Sequence, residues 1–325
     1  MRVVIPAAGL GTRLKPHTYS LPKVLLNVGG KPMLGYIIEK LLDEKITKVT
    51  FVTGYLGEKI IDFVHSKYPS LEAEFVNQED MLGLGHAVHI ASPTFNDEEI
   101  FIILGDTIFD VDLKPVFSKG ENALGVKTVD DPSRFGVAVC ENGKIIKLIE
   151  KPKELVSKLA LVGLYYIKNS KLLVESINEL FAKEIKTNGE YQLTDALQIM
   201  IDKGENFSTF QVDGWYDCGK PETLLTTNRY LLLKRGTNRK VENIIINDPV
   251  FISESAVLKN CVVGPYATIS DGCEISDSII RNSIISPNAK IQRVILEDSI
   301  IGSHAIVKSN FKKLNTGDSS EIEFN

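Results

Sequence analysis

Residues 1–14 read MRVVIPAAGLGTRL, a short β-branched stretch that runs directly into a loop with glycines at positions 9 and 11. The first six residues predict a strand, and the glycines let the following loop bring its backbone close to a ligand because they carry no Cβ. Pro32 then opens a segment whose apolar residues fall on one helical face. Strand, glycine loop and helix in this order indicate the beginning of an α/β domain.

The same alternation continues to about residue 236. Strands are predicted for KVTFVTG, EAEFVNQ and EEIFIILGD at 48–54, 72–78 and 98–106, and helices for EKIIDFVHSKY and GHAVHIAS at 58–68 and 85–92. Alternating strands and helices predict βαβ units. We therefore expect a Rossmann-like, mixed but mostly parallel sheet with helices on both faces, and a ligand at the carboxyl ends of its strands.

The pattern changes at about residue 244. The segments VVGPYATI, IISPNAKI and IIGSHAIV at 262–269, 284–291 and 300–307 align without gaps. Short repeats of this kind predict a parallel β-helix, here of roughly three to four coils at about 18 residues a coil. The predicted organisation is an α/β domain over 1–236, a linker over 237–243, and a β-helix with a polar tail over 244–325, with the structure after Phe311 left open.

Composition limits the partners of the protein. The chain has 325 residues, is 43% hydrophobic and carries a net charge of −5 at pH 7, which is typical of a globular protein with a sizeable core. An acidic balance without a dense Lys/Arg run argues against a nucleic-acid partner. No segment approaches the roughly 18 apolar residues of a membrane span and no signal peptide is visible, so we expect a cytoplasmic protein without a membrane partner.

Cysteine and histidine do not form a convincing metal site. The four cysteines, at 140, 218, 261 and 273, are widely spaced and form no Cys-x-x-Cys pair. This argues against a zinc ribbon and a disulfide framework, and favours small buried side chains in a reducing compartment. His86 and His89 lack a third ligand nearby, which makes a zinc site there weak.

The glycine loop carries two cations that can neutralise a phosphate. Its backbone N–H groups can approach an anion, and Arg13 and Lys23 supply positive charge. The loop is not a dinucleotide fingerprint, since Leu14 stands where the third glycine would be, and it is not a P-loop, because no Gly-Lys-Ser/Thr follows. Taken alone, the pattern fits a tight turn with two solvated cations equally well.

Together with motifs further along the chain, this loop resembles the signature of the sugar-1-phosphate nucleotidyltransferases. The motifs stand in the family's order and cover nearly all of the first 236 residues. They are GLGTRL at 9–14, Pro16, Pro22 with Lys23, Gln78, LGLGHA at 82–87, LGD at 104–106, RFGV at 134–137, EKP at 150–152, GLY at 163–165, GEYQLTD at 189–195 and WYDCG at 215–219. The resemblance implies that the β-helix after the catalytic domain is left-handed.

The resemblance also implies a reaction. Such enzymes join a sugar 1-phosphate to the α-phosphorus of a nucleoside triphosphate and release pyrophosphate. Because the attacking phosphate is already an anion, the reaction needs positioning and charge neutralisation and no general base. Asp106 and Asp217 each end a stretch of apolar or aromatic residues, where a lone Asp is usually a turn residue. By resemblance, the two carboxylates together hold Mg²⁺ as the cofactor.

The remaining roles are likewise implied by the resemblance. Arg13 would stabilise charge on the α-phosphate and leaving pyrophosphate, with Lys23 beside it, while Gln78 and the Gly83 backbone would read the base. The implied catalytic set is Arg13, Lys23, Asp106, Lys151 and Asp217. The implied nucleotide-binding set is Ala8, Gly9, Gly11, Thr12, Arg13, Lys23, Gln78, Gly83 and Asp106. The implied sugar-phosphate set is Gly136, Glu150, Lys151 and Gly163, although Glu150 and Lys151 would also form an ordinary surface ion pair.

The substrates are narrowed by the same resemblance. The segment WYDCGKPETLL at 215–225 and the β-helix are most similar to the long form of the glucose-1-phosphate thymidylyltransferases, whereas GLGHAV at 83–88 is also similar to uridylyltransferases. Leu84 stands where N-acetylglucosamine-specific uridylyltransferases carry a hydroxyl, which favours glucose 1-phosphate. A mannose-1-phosphate guanylyltransferase and a non-catalytic regulatory homologue that binds a nucleotide sugar are the alternatives.

The β-helix has two possible roles. Hexapeptide β-helices also build acyltransferases, for which His304 would be the candidate base. This one is short and has no long loop to cover a coenzyme. We expect it to serve assembly instead, because a like subunit can cover its exposed end or a flat face, and this predicts a homo-oligomer.

Overall fold

Strands and helices alternate along the first unit of the chain, Met1–Thr227, in the computed structural model, which describes residues 1–309. Its helices are α1 (Met33–Asp43), α2 (Gly57–Lys67), α3 (Leu84–Ala91), α4 (Lys114–Lys119), α5 (Ser170–Ala182) and α6 (Leu193–Asp202). Its strands are β1 (Arg2–Pro6), β2 (Asn27–Val28), β3 (Lys31–Pro32), β4 (Lys48–Thr53), β5 (Glu72–Asn77), β6 (Ile100–Ile103), β7 (Thr107–Asp110), β8 (Asn122–Thr128), β9 (Gly136–Glu141), β10 (Lys144–Glu150), β11 (Leu159–Ile167), β12 (Phe207–Gln211) and β13 (Gly214–Asp217). The tail after Phe311 lies outside the described residues.

The predicted alternation is confirmed. The predicted strands are β1, β4, β5 and β6, and the predicted helices are α1, α2 and α3. In the nine-stranded sheet, the order is β10-β9-β11-β6-β1-β4-β5, with β8 paired to β11 and β12 paired to β8. Strands β6, β1, β4 and β5 are mutually parallel, whereas β11 runs antiparallel to its neighbours. The sheet is therefore the mixed sheet expected from the sequence.

Helices cover both faces of this sheet, as predicted. Val3 and Ile5 of β1 pack into one hydrophobic cluster with α1 and α2, while Val4 packs into a second cluster with α3, α5 and α6. Successive side chains of a strand point to opposite faces, so the two clusters lie on opposite sides of the sheet. All three side chains are fully buried. Buried parallel strands leave the loops at their carboxyl ends as the accessible part, which is where a ligand can bind.

Two local features bring distant residues to these loops. Strands β7 and β13 form a separate antiparallel ribbon that places Asp217 opposite Thr107. In β11, the register against β8 shifts between Leu161 and Tyr165, and Gly163 lies within this irregularity with φ of 83°. The N–H of Leu104 donates to the carbonyl of Gly163 at 3.0 Å. Both features position residues beside the loop that follows β6.

The second unit begins at Asn228 and contains stacked parallel strands. They are β14 (Ile245–Ile246), β15 (Val250–Ile252), β16 (Val257–Lys259), β17 (Val262–Val263), β18 (Ala267–Ile269), β19 (Glu274–Ser276), β20 (Ile279–Ile280), β21 (Ile284–Ile285), β22 (Lys290–Gln292), β23 (Ile295–Leu296), β24 (Ile300–Ile301) and β25 (Ile306–Lys308). They form three four-stranded parallel sheets, β14-β17-β20-β23, β15-β18-β21-β24 and β16-β19-β22-β25. This is the left-handed β-helix expected from the sequence.

Each coil is shorter than the predicted 18 residues. Paired residues such as Val262, Ile279 and Ile295 are 17 and 16 positions apart. At the corners, left-handed residues such as Asn260, Asp277 and Arg293 turn the chain at positive φ. Asn and Asp tolerate this conformation better than most residues, which accounts for their recurrence between the aliphatic positions.

The division between the units lies within helix α7 (Pro221–Arg235). Asn228 Nδ2 donates to the carbonyl of Tyr266 at 3.0 Å, and Thr268 Oγ1 donates to Asn228 Oδ1 at 2.7 Å. In the predicted linker, Asn238 makes two hydrogen bonds to the backbone of Ile252, at 2.9 and 2.8 Å. These contacts attach both segments to the β-helix, and the domain limits at 236 and 244 stay predictions. No helix within residues 1–309 has the length and apolar character needed to cross a membrane.

Candidate active site

The loop after β1 is shaped by Gly11. Its φ of 61° lets the chain turn into a short 3₁₀ helix, Thr12–Leu14. A Cβ on Gly11 would lie 2.9 Å from Thr18 Cγ2 and 3.1 Å from Lys23 Cβ, so a larger residue would not fit. Gly9 differs, since no atom lies within 4 Å of its Cβ position. Space beside the Gly9 backbone is what a closely approaching ligand needs.

A cavity of about 340 Å³ lies between this loop and the loop after β5. It is lined by six members of the predicted nucleotide-binding set: Ala8, Gly9, Gly11, Thr12, Gln78 and Gly83. Its remaining lining residues are Pro6, Leu10, Met81, Leu84, Ala87 and Glu190. Glycine backbone, apolar side chains and the buried Gln78 amide suit a flat heterocyclic ring, and one carboxylate, Glu190, also lines this pocket, which is called the glycine-loop cavity.

The wall of this pocket joins two distant motifs. The N–H of Gly85 donates to the carbonyl of Tyr191 at 2.8 Å, and the N–H of Tyr191 donates to the carbonyl of Leu82 at 2.8 Å. Gly83 has φ of 110°, and a Cβ there would lie 2.6 Å from the carbonyl oxygen of Tyr191. The motifs LGLGHA and GEYQLTD therefore meet at one wall, which only glycine at position 83 allows.

Charged groups surround a second cavity, of about 180 Å³. Its lining includes Arg13, Asp106, Gly163 and Asp217 of the predicted set. The N–H of Cys218 donates to the carbonyl of Asp106 at 3.2 Å, so the β7–β13 ribbon holds the two aspartates as neighbours. A Cβ on Gly219 would lie 2.9 Å from Asp217 Oδ1 and 3.2 Å from Arg13 Nη2, which places Arg13 beside Asp217.

Lys23 adds a second cation to this end of the site. Its Nζ forms an ion pair with Asp106 Oδ2, and its side chain is 10% exposed. The neighbouring Cys218 is fully buried, and burial raises the pKa of its thiol to about 12. A thiol that stays protonated is a poor nucleophile, so the chemistry here belongs to the charged groups. The arrangement can neutralise several phosphate charges at once.

Two carboxylates at adjacent strand ends fit Mg²⁺, which prefers hard oxygen ligands and keeps several positions for water or phosphate. Lys23 uses only Oδ2 of Asp106. Among residues 1–309, no group of three or more His, Cys, Asp or Glu side chains could hold a metal ion. A metal at Asp106 and Asp217 would therefore take its other ligands from substrate and water. Within the described chain, His86 and His89 belong to no such group of side chains.

Three of the four predicted sugar-phosphate residues, Gly136, Glu150 and Lys151, form a third group, whereas the fourth, Gly163, lines the charged cavity. Glu150 pairs with Gly136 across strands β9 and β10, and Thr194 Oγ1 donates to Glu150 Oε2 at 2.8 Å. A Cβ on Gly136 would lie 3.0 Å from Glu150 Oε2. Lys151 Nζ lies 3.5 Å from Glu150 Oε1. Gly136 is thus packed against a held carboxylate, next to Phe135 in the lining of the charged cavity.

The predicted residues are not all in one place. Burial, and then the charge of Glu150, raise the pKa of Tyr165 in β11. Glu150 and Lys151 do not line either of the two cavities within the described residues. Both cavities and the Glu150 group lie in the first unit. Neighbouring residues link the three places: Thr12 lines the first cavity and Arg13 the second, while Phe135 lines the second cavity and Gly136 contacts Glu150.

Seven residues that line the charged cavity had no predicted role, namely Leu104, Thr107, Arg134, Phe135, Leu161, Val162 and Trp215. The Phe135 and Trp215 rings meet edge to face with centroids 4.8 Å apart. The buried Trp215 Nε1 has no hydrogen-bond partner within residues 1–309. The signal available was its position two residues before Asp217. Two neighbours of predicted residues were also missed, Thr194 beside Glu150 and His86 beside Gln78.

Comparison with known proteins assigns the first unit. The family model described as nucleotidyl transferase matches residues 2–233. The chain belongs to the nucleotidyl transferase family. It is 33% identical to the bifunctional protein GlmU of Methanococcus vannielii over 93% of this chain and 78% of that protein. It is 29% identical to a glucose-1-phosphate thymidylyltransferase of Streptomyces antibioticus over 99% of both chains.

A solved structure of this family shares the fold. UDP-glucose pyrophosphorylase complexed with UDP-glucose matches with a TM-score of 0.63 and 26% identity, over 72% of this chain and 99% of that one. Together with the family model, these relatives support an enzyme of the nucleotidyltransferase type that acts on sugar phosphates.

Proposed function

We propose that this enzyme transfers the nucleotidyl group of dTTP or UTP to glucose 1-phosphate, with Mg²⁺ as cofactor, giving a nucleotide sugar and pyrophosphate. The observation that carries the proposal is the convergence of Arg13, Lys23, Asp106 and Asp217 beside the glycine-loop cavity and the Glu150 group. A base in the glycine-loop cavity and a sugar beside Glu150 would bring their phosphates to these charges.

The reaction needs one bond exchange. An oxygen of the sugar phosphate forms a bond to the α-phosphorus, and the bond from that phosphorus to the α,β-bridging oxygen breaks. Pyrophosphate leaves with the electron pair of the broken bond. Arg13 would stabilise the crowded negative charge, and Lys23 would hold the phosphates next to Asp106. When bound by Asp106 and Asp217, Mg²⁺ would supply further charge neutralisation at phosphate oxygens.

The choice of substrates rests on the relatives and on one residue. The Streptomyces antibioticus relative is a glucose-1-phosphate thymidylyltransferase, and the solved neighbour carries UDP-glucose. Leu84 lines the glycine-loop cavity, where its side chain offers apolar packing and no hydroxyl group. Thymine and uracil differ by one methyl group, which changes binding by about 1–3 kcal/mol at most, so both nucleotides are proposed.

The test is pyrophosphate release with Mg²⁺. Five nucleotides (dTTP, UTP, GTP, CTP and ATP) are crossed with the 1-phosphates of glucose, N-acetylglucosamine, mannose and galactose, each with a chelator control. We expect a chelator-sensitive signal for glucose 1-phosphate with dTTP or UTP, and Asp217→Asn to need more Mg²⁺ for half-maximal rate. A signal only for GTP with mannose 1-phosphate would replace the substrates. Silence throughout, with nucleotide sugar still bound, would make the chain a regulatory homologue.

We also propose a homo-oligomer that forms in part through the β-helix. Its three outer faces differ. On the β15-β18-β21-β24 sheet, Thr268 is fully buried and bonded to Asn228 of α7. On the β16-β19-β22-β25 sheet, Lys290 Nζ and Glu274 Oε1 form an ion pair at 2.8 Å. Charged side chains of this kind are typical of a face that contacts solvent. On the β14-β17-β20-β23 sheet, the outward positions are all aliphatic.

These outward residues, Ile245, Val262, Ile279 and Ile295, stack in register and are called the aliphatic ladder. Ile245 is 63% exposed and Ile295 is 72% exposed. Val262 and Ile279 between them are half-buried. A contiguous aliphatic row with exposed ends is unfavourable in water and is typical of an interaction surface. A second copy is the occupant we propose, because its identical flat row has the same spacing of about 4.8 Å between strands.

A further inference from the structure

The side chain of Gln78, which lines the glycine-loop cavity, is held by two partners. Its Nε2 lies 3.3 Å from the carbonyl oxygen of Gly83 and 3.1 Å from Nδ1 of His86. Gln78 is only 4% exposed, and its backbone N–H donates to the carbonyl of Thr53 at 2.7 Å. Both side-chain hydrogen bonds therefore run through one atom of the amide.

The chemistry of these partners fixes which amide atom that is. A carbonyl oxygen only accepts, so the atom facing Gly83 must be the NH₂ group and cannot be the amide oxygen. Its second proton then points to His86, which requires Nδ1 to be unprotonated and the ring proton to be on Nε2. The remaining polar atom, Oε1, has no protein partner within residues 1–309 and belongs to a side chain that lines the cavity.

We propose that His86 is a positioning residue that locks the Gln78 amide with its oxygen toward the base, so that the site selects bases with an N–H at the centre of their pairing edge. This rests on the proposed function, because it needs a base in this cavity. Uracil, thymine and guanine offer that N–H. Cytosine and adenine offer a lone pair there, which Oε1 would repel. The free amide of an unlocked glutamine could rotate and serve either class.

The surroundings support a lock that does not relax. The Gly83 carbonyl also accepts from the N–H of Ala87 at 3.1 Å, and the neighbours of Gly83 are bonded to Tyr191, so several hydrogen bonds hold this carbonyl beside Gln78. His86 lies on α3, and its ring meets Phe181 at a centroid distance of 6.1 Å. A fixed amide discriminates by the unpaired or repelled group that the wrong base would leave buried, which costs about 1–3 kcal/mol.

Two variants of His86 separate the lock from simple packing. In His86→Asn, Oδ1 is bonded to Cγ just as Nδ1 is, so the acceptor is kept. In His86→Leu, the equivalent atom is a methyl group of similar position that accepts nothing. The measurement is kcat/KM for UTP and for CTP with glucose 1-phosphate, since these two nucleotides have the same shape and opposite hydrogen-bonding centres.

We expect His86→Leu to lower the UTP/CTP ratio of kcat/KM by about tenfold or more, as expected for one mispaired buried hydrogen bond. The change should lie in KM, with kcat at saturating UTP nearly unchanged, and His86→Asn should keep most of the ratio. An unchanged ratio in His86→Leu would overturn the proposal. So would an equal loss in both variants, which would show that the ring serves packing alone.

Nitrogen-15 labelling of histidine gives a readout without activity. The proposal requires an unprotonated Nδ1 and a protonated Nε2 on His86, and the opposite tautomer would refute it. If the unsubstituted enzyme uses neither UTP nor dTTP, the proposed function fails by itself. The tautomer and the ratio of UTP to CTP binding, measured by calorimetry for the unsubstituted protein and both variants, then still decide the role of His86.

Discussion

The two units of this chain use similar aliphatic residues but differ in how far apart in sequence their contacts lie. In the β-helix, each strand pair joins residues 16 or 17 positions apart, such as Ile279 with Ile295 and Val262 with Ile279. In the first unit, the charged cavity gathers Arg13, Asp106 and Asp217. Stability in the β-helix is therefore a sum of stackings between neighbouring coils, whereas the site depends on the whole sheet.

The units also differ in what their exposed groups do. The first unit presents cations and carboxylates for which we propose a role in binding phosphates. The β-helix presents the aliphatic ladder, whose four outward side chains carry no charge. Substitutions in the first unit should therefore change turnover or substrate affinity. Substitutions in the ladder should change association and leave chemistry alone.

Removing a cation at the charged cavity should have the largest effect. We expect Arg13→Ala and Lys23→Ala each to lower kcat by at least about 100-fold, because each removes charge that stabilises the transition state. Steady-state kinetics with varied nucleotide and sugar phosphate would measure this. A change confined to KM would contradict the roles given to these residues.

Lys15→Ala is the matched control for loss of positive charge. Lys15 is exposed in the same loop and lies over the ring of Tyr19, with Nζ 4.9 Å from its centroid. It lines neither cavity. Its removal should leave kcat nearly unchanged. An equal loss in the control would mean that the net charge of the loop matters and the position does not.

The sequence predicted the β-helix and the elements of the sheet because their signals are local. The spacing of aliphatic residues predicts the stacked positions, and the first 14 residues predict strand β1 and its glycine loop. The predicted coil of 18 residues was one or two residues too long, and the left-handed residues at the corners, such as Asn260 and Asp277, were not predicted. Periodicity alone does not show φ.

The candidate site was predictable in its residue types but not in its arrangement. The resemblance supplied Arg13, Asp106 and Asp217 as a set, while their proximity depends on the β7–β13 ribbon. Trp215 and Thr194 were missed because a side chain that lines a cavity or holds a carboxylate has no sequence period. His86 was weighed only as a metal ligand, since its contact with Gln78 forms across a loop.

Substituting either of two glycines that line the glycine-loop cavity should have an intermediate effect, on stability at one position and on nucleotide binding at the other. Gly83→Ala places a Cβ at positive φ and 2.6 Å from a carbonyl oxygen, so we expect a loss of about 1–3 kcal/mol and a lower Tm. Gly9→Ala meets no atom within 4 Å, so Tm should not change. Its Cβ would instead occupy ligand space and raise KM for the nucleotide about tenfold.

Thermal unfolding and nucleotide KM, measured on both variants, test this pair. Both variants should raise KM, but only Gly83→Ala should melt earlier. A normal KM in Gly9→Ala would show that the nucleotide does not approach this part of the loop. An unchanged Tm in Gly83→Ala would show that the wall formed with Tyr191 can shift, which would also weaken the argument for a fixed Gln78.

The smallest effect on turnover, and the sharpest contrast with the first unit, should come from the aliphatic ladder. Ile295→Glu places a charge on the ladder at a position that is 72% exposed, so folding should persist while an apolar contact between copies is lost. Ile306→Glu is the control, because Ile306 is 65% exposed beside Lys290 on the face that carries an ion pair.

Light scattering after size exclusion should show fewer subunits only for Ile295→Glu, with kcat unchanged in both variants. If both variants keep the subunit number of the unsubstituted protein, assembly does not use the ladder; if both lower it, charge rather than the ladder controls association.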